Sequence, residues 1–149
     1  MIEIIAVMII LTIIGAVVLS RMTETCAELI GKVDAIKSHL RYAQSPAMNS
    51  DIVWGIRCNG IFYWLFSNGN INNRVILPGE DADRVNLRAD GFAMERFTLS
   101  FDSWGVPHRD AAASDGQELV KGHPETQLTV SYGSQSESIT VTPLTGFIP

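Results

Sequence analysis

The sequence predicts an α+β protein in which one long N-terminal helix packs on an antiparallel β-sheet domain. Two observations carry this prediction. From residue 1 to residue 45 no proline and no turn signal interrupts a helix-compatible sequence. From residue 51 the chain becomes a series of short apolar runs separated by Asn-Gly and other turn dipeptides. Strands joined by tight turns pair antiparallel and leave one sheet face to be covered, which the helix can do.

The first part of the predicted helix is apolar on every side. Every residue from 4 to 19 except Thr12 is apolar or glycine, and Glu3 is the only ionisable side chain before Arg21. A run of about 20 such residues is long enough to span a bilayer as a helix. A cleaved secretory signal would instead carry a basic start and a small-residue cleavage site. We therefore expect residues 1–20 to be the transmembrane half of the helix, with a buried core helix as the alternative.

Residues 21–46 are predicted to be the amphipathic half of the same helix. Apolar side chains recur at alternating spacings of four and three, which places them on one helix face. The members of this stripe are Met22, Cys26, Leu29, Val33, Ile36, Leu40, Ala43 and Ala47. Charged residues lie off the stripe, so we expect it to pack on the chain's own sheet; a short coiled-coil seam is the alternative. Pro46 is predicted to end or kink the helix near residue 45.

Residues 47–149 are predicted to form the β-sheet domain. Asn59-Gly60 and Asn68-Gly69 are strong hairpin signals. The predicted strands are 52–58, 61–66, 71–77, 96–101, 127–132 and 137–142. Val85 and Leu87 mark one short strand within an otherwise irregular stretch at 80–95, and residues 102–123 are predicted to be loop.

Charge and cysteine content limit the classes of function. The chain has 16 Asp and Glu against 11 Lys and Arg, a net charge of -5, so no nucleic-acid partner is expected. Two cysteines, Cys26 and Cys58, are too few for a disulfide framework. One disulfide joining the helix stripe to the first strand and two unpaired buried thiols both remain open.

No residue pattern indicates catalysis, a cofactor or a metal. The histidines His39, His108 and His123 match no zinc-ligand spacing. The aspartates Asp81, Asp83 and Asp90 share one loop but lack the glycine and glutamate positions of an EF-hand. A nucleophile elbow and a glycine-rich phosphate loop are both missing from the sequence. We therefore expect a protein that is not an enzyme, with no catalytic, cofactor-binding or metal-binding residues.

Four segments together resemble a known family. Glu3 and the apolar run that follows it resemble, from the third position onward, a mature N-terminus of the form F-T-L-I-E. The others are LRYAQSPAM at 40–48, FD at 101–102 with GVP at 105–107, and ITVTPLTGFI at 139–148. In this order they resemble the type IV pilin-like family, and within it the H-type (GspH/FimT-like) minor pseudopilins and minor pilins.

The resemblance implies a structural minor pseudopilin or minor pilin of a type II secretion or type IV pilus-like filament. Such a subunit acts in filament initiation or tip assembly and in protein export. It would be a single-pass protein of the bacterial inner membrane with a periplasmic C-terminal domain. Its partners would be other pilin-like subunits, inner-membrane lipid before assembly, and a prepilin peptidase that cuts a leader upstream of Met1 before the new N-terminus is methylated.

Glu3 takes a specific role under this resemblance. It maps onto the glutamate of the family's N-terminal motif, whose implied function is pairing with the N-terminal amine of a neighbouring subunit during assembly. A carboxylate at the start of a helix is also favoured by the helix dipole, so a simple position at the lipid headgroup level is the alternative. Two other functions remain: a membrane-tethered binding module that does not polymerise, and a DNA-uptake minor pilin.

Overall fold

A single helix dominates the computed structural model. The structure describes the backbone of residues 2–119 and 126–149, and the side chains of the same residues except 18–25. Helix α1 comprises Ile2–Asn49. At 1.5 Å per residue it is about 70 Å long. Its C-terminal half packs on antiparallel β-sheets, so the predicted α+β class is confirmed.

Pro46 does not end the helix near residue 45, so that part of the prediction was wrong, whereas the alternative of a kink stays a prediction. Helix α1 continues through Pro46 to Asn49. Proline removes one backbone hydrogen bond from a helix interior, but Ala43 and Ala47 on either side of it are fully buried. Their packing holds the last turn in place. The Asn49 amide and the Ser50 hydroxyl then donate to the carbonyls of Ser45 and Pro46, at 2.8 and 2.6 Å.

Two antiparallel sheets make up the β domain. In the larger, the strand order is β3-β2-β1-β6-β7, with β4 paired to the free part of β2. Its strands are β1 Trp54–Cys58, β2 Phe62–Ser67, β3 Asn70–Val75, β4 Val85–Asn86, β6 Phe97–Phe101 and β7 Pro107–His108. The smaller sheet has the order β5-β8-β9, with β5 Phe92–Met94, β8 Gln127–Tyr132 and β9 Gln135–Thr140.

Both predicted Asn-Gly hairpins are present. The Asn59 Oδ1 accepts hydrogen bonds from the amides of Ile61 and Phe62, at 3.0 and 2.8 Å, and Gly60 has φ +93°. Asn68 and Gly69 have φ angles of 59° and 63°, the left-handed conformation that a two-residue type I′ hairpin turn requires. These turns fix the order β1-β2-β3.

Strands β5 and β7 lie in segments that were predicted to be irregular. Each is very short, and β5 finds its partner β8 more than thirty residues later in the chain. Pairing over such a distance leaves no local periodicity to detect. The pairing of β5 with β8 therefore depends on the tertiary structure and not on the local sequence.

The core lies between helix α1 and both sheets, because the buried cluster contains residues of the larger sheet and of strands β5, β8 and β9. Ile56 on β1 is opposite Leu65 on β2 and Leu99 on β6, and all three are completely buried. The helix residues buried in the same cluster are Leu29, Val33, Ile36, Leu40, Ala43 and Ala47. The stripe residue Met22 lies outside the described side chains.

Cys26 does not belong to the buried part of the stripe. It is exposed, Cys58 is buried, and both are free thiols. The buried face begins at Leu29, one turn further along the helix, because the β domain does not cover the helix at position 26. The Cys26–Cys58 disulfide that the sequence left open is not formed.

The predicted location in the membrane needs correction. The described side chains of the apolar segment cover residues 2–17. A search of the described residues finds no helix with the length and apolar character needed to cross a bilayer. This finding contradicts the predicted single-pass inner-membrane protein. The predicted boundary between the two halves of the helix, at residue 20, falls within one continuous helix, and the predicted boundary of the β-sheet domain, at residue 46, falls near the end of that helix. Both boundaries stay predictions.

Candidate assembly surface

The first sixteen residues of helix α1 form an apolar surface that no other part of the described chain covers. We call residues 2–17 the apolar helix segment. All of its residues are exposed except Gly15, which is partly buried. Its large apolar members keep between 50 and 84 % of their surface accessible; these are Ile2, Ile4, Ile5, Val7, Met8, Ile9, Ile10, Leu11, Ile13, Ile14 and Val17. A continuous apolar patch of this kind marks an interaction surface.

The apolar helix segment contains few polar groups. The Thr12 hydroxyl donates to the Met8 carbonyl at 2.7 Å, so it is satisfied within the helix. Glu3, in the first turn of the helix, is the only charged residue of the segment. An apolar partner surface therefore has one polar group to accommodate, the Glu3 carboxylate.

The other end of the helix is fastened to the β domain by side-chain hydrogen bonds to backbone carbonyls. Arg41 donates to the Ile148 carbonyl from Nε and Nη2, at 3.0 and 2.9 Å. Gln44 donates from Nε2 to the carbonyls of Gly105 and Thr145, both at 3.0 Å. We call this region the helix-end junction.

Gly105 lets the chain approach the helix closely at this junction. It has φ +77°, and a Cβ at this position would lie 3.0 Å from the Met48 sulfur and 3.1 Å from Gln44 Nε2. Residues 40–48, 105–107 and 145–148 thus meet in one place. These are parts of three of the segments on which the family resemblance depends, and their common structural task is to attach the helix to the domain.

The loop that carries Gly105 also presents an exposed tryptophan. The Asp102 Oδ1 accepts hydrogen bonds from the amides of Trp104 and Val106, both at 2.9 Å. The other carboxylate oxygen lies 3.2 Å from Nε2 of the buried His108. This network holds a loop in which Trp104 is 84 % exposed.

His39, on helix α1, is buried and lies within hydrogen-bond distance of two groups of the β domain. Its Nδ1 is 3.0 Å from the Tyr63 hydroxyl and its Nε2 is 3.2 Å from the Pro78 carbonyl. Because a carbonyl only accepts, Nε2 donates and Nδ1 accepts from Tyr63. Desolvation lowers the pKa of His39, partly opposed by its hydrogen bond to Pro78, and burial raises the pKa of Tyr63. Both side chains are therefore neutral in the folded protein at pH 7.

The residues considered for metal binding are dispersed or paired. Asp83 forms an ion pair with Arg74 and Asp90 forms one with Lys32, each at 3.0 Å. In the part of the chain that the structure describes, no group of three or more His, Cys, Asp or Glu residues could hold a metal ion. His123 lies outside that part.

Sequence reasoning missed the functional meaning of Arg41 and Gln44. Both lie beside the apolar stripe, where a polar side chain is expected on any exposed helix face. Their spacing of three does place them on the same side of the helix, but their acceptors are more than sixty residues away in the chain.

No family model, curated protein or solved structure matches this chain.

Proposed function

We propose that this protein is a structural subunit of a pilin-like filament, in which the apolar helix segments of neighbouring subunits pack side by side. The observation that carries the proposal is the exposure of the large apolar side chains of that segment, on a helix whose other half is buried against a folded domain. Within this class we propose an H-type minor pseudopilin or a FimT-like minor pilin, because segments that resemble this group supply the residues of the helix-end junction. Such a subunit acts in filament initiation or tip assembly and in protein export.

The energetics of this assembly are favourable. Full burial of one Val, Leu or Ile side chain is worth about 1.5–3 kcal/mol. The loss of translational and rotational freedom on association costs about 4–15 kcal/mol. Burial of part of the apolar set in the segment is enough to exceed that cost. The β domain packs on the helix from Leu29 onward, so it leaves the segment free to approach other helices.

A matched pair of substitutions tests the proposal. Ile9 lies in the apolar helix segment and Ile76 lies after strand β3 in the β domain, with exposed fractions of 55 and 56 %. We expect Ile9→Glu to reduce self-assembly at least about tenfold, because an unpaired carboxylate buried at an apolar contact costs several kcal/mol. Ile76→Glu should assemble like the wild type.

Assembly is measured by sedimentation and electron microscopy, and folding of each variant by thermal unfolding. Both variants should unfold at the wild-type temperature, because neither isoleucine is buried in the core. Equal assembly of Ile9→Glu and wild type would contradict the proposal, as would an equal defect in Ile76→Glu.

A further inference from the structure

A cavity of about 410 Å³ opens at the Asn59-Gly60 hairpin. Two arginines line it: Arg57, half-buried on strand β1, and Arg96, exposed just before strand β6. Arg57 is opposite Trp64 and Thr98 in the sheet register, which places it on the sheet face that does not pack on helix α1. The cavity is separate from the apolar helix segment and from the helix-end junction.

The charged residues that line the cavity are positive, whereas the whole chain has a negative net charge. The protein has a net charge of -5, yet the cavity lining includes no Asp or Glu. Glu95, next to Arg96 in the chain, lines a different cavity. Two guanidinium groups without a local carboxylate favour the binding of an anion.

Arg96 has no internal role in the described part of the chain. It makes no hydrogen bond or ion pair there, whereas Arg74 pairs with Asp83 and lies over the Trp64 ring. Arg57 donates from Nη1 to the Thr98 hydroxyl at 3.1 Å, which holds its guanidinium at the cavity while other N–H groups remain available. One arginine is thus positioned and the other is free to close on a ligand.

The remaining walls are partly apolar. Ile61, which is exposed, and Thr98 line the cavity beside the arginines, while the Phe97 side chain is buried in the core on the other face of the sheet. The stem of Arg96 lies along the hairpin, with its Cγ 3.7 Å from where a Cβ on Gly60 would be. A ligand that enters would meet guanidinium groups and hydrocarbon side by side.

We propose that this cavity binds an acidic peptide segment of a partner protein, with a carboxylate on the two arginines and a neighbouring apolar side chain against the exposed Ile61. Carboxylates match the planar donor pair of a guanidinium group. A nucleic-acid strand is a poorer fit because its bases need open aromatic faces for stacking. The nearby Trp64 and Phe62 rings are instead covered by Arg74 and Arg84, at 5.2 and 4.8 Å.

The test measures the binding of a fluorescein-labelled peptide, Gly-Glu-Phe-Glu-Gly, to the full chain by fluorescence anisotropy. We expect the Glu peptide to bind and its Gln counterpart to bind much more weakly. Arg57→Gln and Arg96→Gln should each weaken binding at least about tenfold, the effect expected from losing one charge-assisted contact. Arg88→Gln, which removes the same charge from an exposed position outside the cavity, should bind within about twofold of wild type.

Arg96→Gln keeps the test independent of folding, because Arg96 is exposed and makes no described internal bond. Failure of the Glu peptide to bind the wild type would overturn the proposal. So would equal binding of the Gln peptide, or an equal loss in Arg88→Gln. Tighter binding of a short single-stranded oligothymidylate than of the Glu peptide would also overturn the proposal. So would full competition by inorganic phosphate at the peptide's own concentration. Either result would identify a phosphate group, and not a peptide carboxylate, as the ligand.

Discussion

At the scale of single residues, His39 links folding to pH. Its folded-state pKa lies below the ordinary value of about 6.5. As pH falls through about 6.5, the unfolded chain binds a proton at this position before the folded chain does, so the free energy of unfolding decreases. The stability that the neutral imidazole contributes is present above about pH 6.5 and is lost as pH falls toward the lowered pKa.

Urea unfolding of the wild type and of His39→Gln, each at pH 7.5 and 5.5, checks this prediction. Glutamine keeps a donor and an acceptor but does not titrate. We expect the wild type to lose more stability on acidification than the variant, because the carboxylates contribute equally to both. The same pH dependence in the two proteins would show that His39 does not bind protons differently on folding.

The sequence predicted residue roles well where the cause is local and poorly where it is not. Asn59 and Gly60 were identifiable because their turn geometry depends on the two residues themselves. For His39 the sequence indicated only that it matches no zinc-ligand spacing. Its hydrogen-bond partners could not be predicted, because Tyr63 and Pro78 follow 24 and 39 residues later. Cys26 fitted the helical stripe, but periodicity does not show where the sheet stops covering the helix.

At the scale of secondary structure elements, Gln44 joins the helix to two loops. Its side-chain amide serves the carbonyls of Gly105 and Thr145. Gln44→Leu keeps a similar size but removes both donors, leaving two carbonyls without this partner. We expect the free energy of unfolding to fall by about 1–3 kcal/mol. Gln117→Leu, at an exposed loop position, is the matched control and should change it by less than about 0.5 kcal/mol.

Chemical denaturation of both variants measures this difference. Equal stability of Gln44→Leu and wild type would mean that water satisfies the two carbonyls and that the junction does not depend on Gln44. A loss as large in Gln117→Leu would point to a general effect of exposed leucine instead.

Among the elements, the long helix and the strands of the main hairpins were predictable from periodicity and turn residues. The errors were at Pro46 and at strands β5 and β7. The intrinsic preference of proline was overridden by the buried contacts of Ala43 and Ala47. The two short strands exist because of their partners, β8 and β6, and not because of their own sequences.

At the scale of the whole molecule, the chain combines a self-contained α+β domain with an apolar helix segment that the domain does not cover. The α+β class followed from the sequence because each half has a strong local pattern. The apolar character of residues 2–17 was also evident from the sequence, and a helix that is apolar on all sides has to be buried against something; filament assembly was implied only by the family resemblance. The location in a membrane was predicted from hydropathy, and it is contradicted by the search of the described residues, which finds no helix able to cross a bilayer.

Glu3 provides the last prediction, at the scale of the assembly. It makes no hydrogen bond or ion pair with the described part of its own chain, so within the monomer its charge adds only the local effect of the helix dipole on the first turn. In a filament of packed apolar segments, a carboxylate needs a cationic partner on a neighbouring subunit. Glu3→Gln should therefore leave thermal unfolding unchanged and reduce the yield of assembled protein at least about fivefold.

Glu137→Gln, at an exposed position of strand β9, removes the same charge and is the control. It should assemble as the wild type does. If Glu3→Gln assembled at wild-type yield, the pairing role of Glu3 would be refuted, while the Ile9→Glu result would still decide whether the apolar helix segment drives assembly. If Glu137→Gln were equally defective, net charge and not pairing would control the yield. The two glutamate variants thus separate a specific contact between subunits from general electrostatic repulsion.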